Sequence, residues 1–125
     1  MSRFLLVCFG GALGTGARYL IATASVRVTT KFPVGTLTVN VVGSFFISFI
    51  MALALAKGST MSETTRLFLT TGILGGFTTY ASFNFETLRI AQGGAMATAV
   101  TYAAVTFVGC LIAGLLGLQA ARLVG

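Results

Sequence analysis

The sequence predicts an all-α membrane protein with four transmembrane helices per chain. Three observations carry that prediction. Of 125 residues, 56% are hydrophobic and only 8% charged, where a soluble domain carries about 25% charged residues. Apolar runs of about 20 residues, the length that crosses a bilayer as a helix, recur four times. Short polar connectors, "RVTTKFP", "KGSTMSETTR" and "RIAQGG", separate them. The spans are expected at roughly 4–26, 34–56, 67–88 and 95–121, as one transmembrane domain over 1–125.

The first run follows Arg3 and ends near "ATAS", which resembles a signal-peptide cleavage site. It is longer than the usual core of about 7–15 residues and contains Arg18, so a retained helix is expected. Within it, Gly10 and Gly14 have the GxxxG spacing that lets helix backbones approach. Pro33 suits the first turn of the second helix, where its missing N–H costs nothing. Thr60 and Glu63 have capping-box spacing ahead of the third.

The third run reads "GILGGFTTYASFNFETLR". Gly75 and Gly76 each weaken a helix by up to about 1 kcal/mol relative to alanine, and Phe77, Thr78 and Thr79 add no strong helix former. A break near the middle of this helix is expected, exposing backbone groups that hydrocarbon does not tolerate unless they are used. Gly93 and Gly94 supply the turn before the last helix, where Gly109, Ala113 and Gly117 repeat a four-residue small spacing.

Charge bounds both topology and chemistry. With four spans, Arg3, Lys57, Arg66 and Arg122 share one side, and Arg27, Lys31 and Arg89 the other. That near balance gives the positive-inside rule nothing to act on, so insertion in both orientations and an antiparallel, dual-topology homodimer are expected. The net charge of +6 has no solvated basic face to present to nucleic acid. There is no His and no Asp, and the two cysteines, Cys8 and Cys110, lie in separate apolar runs. An imidazole base, a paired-carboxylate site and an ordinary zinc site are therefore excluded, and an enzyme is not expected.

Polar groups inside the spans mark the candidate site. Thr36, Asn40, Ser44 and Ser48 recur every fourth residue on the second helix, and Tyr102, Thr106 and Cys110 do so on the fourth. A buried amide needs partners. Asn40 either bonds a neighbouring helix or donates to something passing through. Two stripes of uncharged donors suit an anion better than a cation, for which carboxylates or inward carbonyls are usual. Tyr80 and Phe83 share a helix face and offer electropositive ring edges, and Ser82 lies between them in sequence. Arg18 either snorkels to the interface beside Tyr19 or lines a vestibule that attracts anions.

The segments "GGALGTGARY", "GTLTVNVVGS" and "GGFTTYASF" together resemble the signature segments of the Fluc (CrcB) fluoride channels, over essentially the whole chain. The resemblance implies an antiparallel homodimer with two fluoride pathways and a structural sodium ion at its centre. Backbone carbonyls at the positions of Gly75 and Thr78 would hold that ion. It assigns Asn40, Phe83, Tyr102, Thr106 and Cys110 to the fluoride pathway. Tyr80 stands where the family has a second pore phenylalanine. Ala81 replaces a usual hydroxyl, and Cys110 a frequent serine. Thr36 and Ser82 complete the candidate pore set, with Arg18 at the vestibule.

The expected activity is passive, fluoride-selective export from a bacterial-type inner membrane, with fluoride, lipid and a second copy of the chain as the only partners. No acid lies deep within a span, Glu86 falling near the end of the third, so proton-coupled pumping lacks its usual group. Two alternatives remain. A small multidrug-type exporter would share the helix count but needs a carboxylate in the first helix. A non-transporting assembly subunit would explain the glycine spacings but not the donor stripes.

Overall fold

The computed structural model describes residues 2–29 and 31–125, and every described element is helical. Helix α1 is Ser2–Val26 and α2 is Val34–Leu55. Helix α3, Glu63–Leu67, runs without a gap into a π-helical stretch, Phe68–Leu74, and then into the single turn α4, Gly75–Phe77. After Thr78 and Thr79 the chain resumes as α5, Tyr80–Gln92, and ends in α6, Met96–Val124. Among the described residues three helices, α1, α2 and α6, are each long and apolar enough to cross a membrane. Large apolar side chains such as Phe4, Leu20, Phe107 and Leu115 stay more than half exposed, as expected of a surface solvated by lipid.

Helix ends follow local chemistry. Pro33 stands immediately before α2, and its carbonyl accepts the Leu37 N–H at 3.1 Å. The N-cap of α3 is Ser62 rather than Thr60: its Oγ accepts the Thr65 N–H at 3.1 Å. Glu63, expected to reach back as the other half of a capping box, instead takes Arg3 Nη1 at 2.7 Å and ties the start of α1 to α3. Gly94 makes the turn before α6 with φ +87°, a left-handed conformation open to glycine at little cost.

Small residues decide which backbones touch. A methyl group on Gly14 would overlap the Ile73 carbonyl, and one on Gly76 would meet the Gly11 carbonyl at 2.5 Å. Helix α1 thus lies directly against the π-helical stretch and α4. In the same way Gly117 of α6 sits on the Phe45 carbonyl of α2, and α2 and α6 form the most extensive contact in the chain. The glycine spacings of the first and last helices are therefore used within one chain. That removes the main feature favouring an assembly subunit.

The glycine pair itself does not break the third helix. Gly75 has φ −62° and ψ −38°, ordinary helical values. The extended residues are Thr78, at φ −84° and ψ 158°, and Thr79, at φ −154° and ψ 111°. Gly76 is there for close approach to α1. The chain changes direction two residues later, where side chains from α1 and α2 can reach its backbone.

Candidate functional site

The segment around the break, Gly76 to Thr79, is held from two sides. Asn40, 9% exposed, grips Thr79 at two points: the Thr79 N–H donates to Oδ1 at 2.8 Å, and Nδ2 donates to the Thr79 carbonyl at 3.0 Å. From α1, Arg18 Nε donates to the Gly76 carbonyl at 3.0 Å, and Thr15 Oγ1 approaches the same oxygen at 3.4 Å. Arg18 therefore reaches the break through its Nε and lines the smaller of two hollows there. The start of α5 is capped by Thr79, whose Oγ1 accepts the Ser82 N–H at 3.2 Å.

These bonds change what two carbonyls can do. In an uninterrupted helix the Thr79 N–H would serve the Gly75 carbonyl, and the Ser82 N–H that of Thr78. Both amides are directed elsewhere, to Asn40 Oδ1 and Thr79 Oγ1. Gly75 and Thr78 thus present neutral oxygens without their helical donors. Hard cations are bound by such oxygens at helix breaks, so the residues fit the sodium ion that the sequence resemblance implies.

Two hollows flank the break. The larger, about 790 Å³, lies between α2, α5 and α6, and its lining includes Asn40, Thr78, Tyr80, Phe83, Thr106 and Cys110. The smaller, about 280 Å³, contains Arg18, Thr36, Thr79, Ser82 and Glu86. The candidate residues accordingly fall into two groups on either side of the break. Tyr102 is fully buried between them. Its ring packs edge-on to Phe32 and tilted against Phe83, each at 5.3 Å between centroids, and Phe83 in turn stands 5.6 Å from Tyr80.

Glu86 is the residue that sequence reasoning passed over. Its carboxyl accepts Thr36 Oγ1 and Tyr102 Oη, each at 2.8 Å, tying α2, α5 and α6 together. The signal was available, since an acid in an apolar segment is costly unless partnered or used. This cluster also commits the hydroxyls of Thr36 and Tyr102, while Ser44 Oγ donates back to the Asn40 carbonyl at 2.7 Å. Thr106 Oγ1 is the one buried side-chain polar atom, among the described residues, with no partner. It lines the larger hollow. Replacing Tyr102 with Phe leaves one Glu86 oxygen without its donor, and thermal unfolding should register a loss of about 1–3 kcal/mol.

The chain is thus an integral membrane protein with long apolar helices and polar side chains gathered around two hollows. Residues 5–118 match the family described as CrcB-like protein, Camphor Resistance (CrcB). The chain is 51% identical over 114 residues, 90% of each sequence, to the fluoride-specific ion channel FluC of Anaeromyxobacter sp. (strain K). It is 46% identical over 123 residues to that of Sorangium cellulosum, covering 98% of this chain and 96% of the relative. With the channel of Caulobacter vibrioides (strain NA1000 / CB15N) it shares 43% over 123 residues. The chain belongs to the CrcB family.

Proposed function

We propose that the protein is a fluoride-selective channel through which the ion leaves the cell passively. The observation that carries this reading is the groove holding Asn40, Phe83 and the unpartnered Thr106 hydroxyl, in a chain whose relatives are named fluoride-specific ion channels. Fluoride is small and strongly hydrated, so a narrow path must replace its water with hydrogen-bond donors. Uncharged donors do this without holding the ion too tightly to leave. Asn40 has one N–H beyond the one given to Thr79, Thr106 a whole hydroxyl, and Tyr80 and Phe83 the positive edges of their rings. Cys110 offers a weak thiol donor one turn past Thr106. Arg18 and Ser82 supply a positive charge and a donor in the smaller hollow, beside the Glu86 carboxyl already engaged by Thr36 and Tyr102.

The larger hollow is open along one side of the single chain, and a second copy inserted in the opposite orientation is the partner proposed to close it. Near-balanced loop charge supports that dual topology. A two-fold assembly has two equivalent pathways. It also brings the freed carbonyls of Gly75 and Thr78 together with those of the partner, around the sodium ion proposed at the centre. Bound there, the ion would neutralise the carbonyl dipoles at the break and join the two copies. A bacterial inner membrane, negative inside, supplies the driving force: about 2.3 kcal/mol per charge per 100 mV, a roughly fifty-fold expulsion of a monovalent anion.

Liposomes loaded with potassium fluoride and given a potassium conductance separate the alternatives. Voltage-driven fluoride release is expected, read with a fluoride electrode. Drug–proton exchange without fluoride release would indicate an exporter, and neither activity an assembly subunit. Phe83→Ile removes a ring edge worth about 1 kcal/mol, so its release rate should fall about fivefold. Release at the parental rate would remove Phe83 from the pathway.

A further inference from the structure

We infer that Asn40 is a positioning residue for the cation site proposed at Gly75 and Thr78, in addition to its place in the fluoride path. This inference rests on the cation reading above. Two oxygens compete for the Thr79 N–H: the Gly75 carbonyl, which would take it in a continuous helix, and Asn40 Oδ1, which takes it at 2.8 Å. At the other end of the same amide, Nδ2 occupies the Thr79 carbonyl at 3.0 Å. The side chain thus pairs with Thr79 on both edges, as a neighbouring strand would.

A second feature of α2 fits the same purpose. Gly43, one turn after Asn40, leaves a space into which the Thr78 methyl projects, and a methyl group at Gly43 would collide with it. Helix α2 is therefore a two-part cradle, with an amide for the backbone of Thr79 and a gap for the side chain of Thr78. Remove the amide and the half-buried Thr79 N–H has the Gly75 carbonyl, its partner in a continuous helix, as the natural acceptor. Helix would then propagate through the break, and the oxygen needed by the cation would be consumed.

The test uses the purified full-length protein in two measurements. Thermal midpoints are recorded against sodium concentration, with choline holding ionic strength constant, for the parent, Asn40→Leu, Asn40→Asp and Tyr102→Phe. The structure of Asn40→Leu, or of Asn40→Ala should the first fail to fold, is then determined. The sodium concentration for half-maximal stabilisation is expected to rise at least about tenfold in Asn40→Leu, the value of roughly one lost ligand contact. It should rise less in Asn40→Asp, which keeps an acceptor for the Thr79 N–H, and stay unchanged in Tyr102→Phe. The variant structure should show the Thr79 N–H turned toward the Gly75 carbonyl.

An unshifted sodium midpoint with Thr78 and Thr79 still extended would overturn the inference. So would a shifted midpoint with the backbone unmoved, because Asn40 would then act on the cation directly. A parent indifferent to sodium would defeat the cation reading instead. Positioning of the break would in that case be judged on the variant backbone alone, and fluoride release, measured separately, would be untouched by that failure.

Discussion

Asn40→Asp is expected to cut fluoride release at least a hundredfold while leaving the helices intact. The substitution preserves shape but places a negative charge on the wall of the larger hollow. At about 5 Å and an effective dielectric of about 20, two like charges repel by roughly 3 kcal/mol, more than a hundredfold in occupancy. The change also removes the donor to the Thr79 carbonyl, setting two oxygens against each other where a 3.0 Å hydrogen bond stood. Fluoride release from liposomes, normalised to protein that elutes as a single species, reads the effect. Parental rates from Asn40→Asp would show that the ion passes elsewhere.

Gly14→Ala is the second large effect, and it falls on assembly of the fold. A methyl at Gly14 meets backbone, the Ile73 carbonyl and the Phe77 amide nitrogen, and backbone inside packed helices cannot swing aside as a side chain does. Overpacking of this kind costs typically about 1–3 kcal/mol and at times more; here the upper end is expected, seen as a collapse in the yield of monodisperse protein. Gly16, half a turn further, has nothing within 4 Å of the position where a methyl would stand. Gly16→Ala should therefore be neutral, or stabilising by up to about 1 kcal/mol from helix propensity. Equal yields from the two variants would mean that α1 does not rest on the π-helical stretch as described.

The contrast between those two glycines also shows what a sequence can and cannot disclose. Helical character was legible because apolar runs near 20 residues leave the backbone no other way to satisfy its hydrogen bonds in lipid. Gly75 and Gly76 were misleading. Low propensity marks where a helix is weak, but the extended residues are Thr78 and Thr79, where Asn40 offers the backbone an alternative partner. That partner is 39 residues distant, beyond what local propensity can register. Thr60 lost the cap to Ser62 for a similar reason, since Glu63 had a better partner in Arg3, 60 residues away.

The polar stripes pointed to residues that share helix faces but not to their allegiances. Thr36 and Tyr102 looked like free donors because periodicity reports only that they share helix faces. The structure commits both to Glu86 and leaves Thr106 as the unpartnered hydroxyl. Glu86 was discounted because it falls near the end of a span, whereas its bonds to Thr36 of α2 and Tyr102 of α6 turn it inward. Spacing identifies candidates, and long-range packing assigns their partners.

The most direct test of the central claim is the reversal potential of the purified protein in a planar bilayer. Under a tenfold fluoride gradient, with chloride and pH symmetric, the account predicts a reversal near 59 mV, the Nernst value for a singly charged ion, and no shift when a chloride gradient is imposed instead. A reversal that follows chloride or the pH gradient, or a bilayer that carries no fluoride current at all, would contradict it.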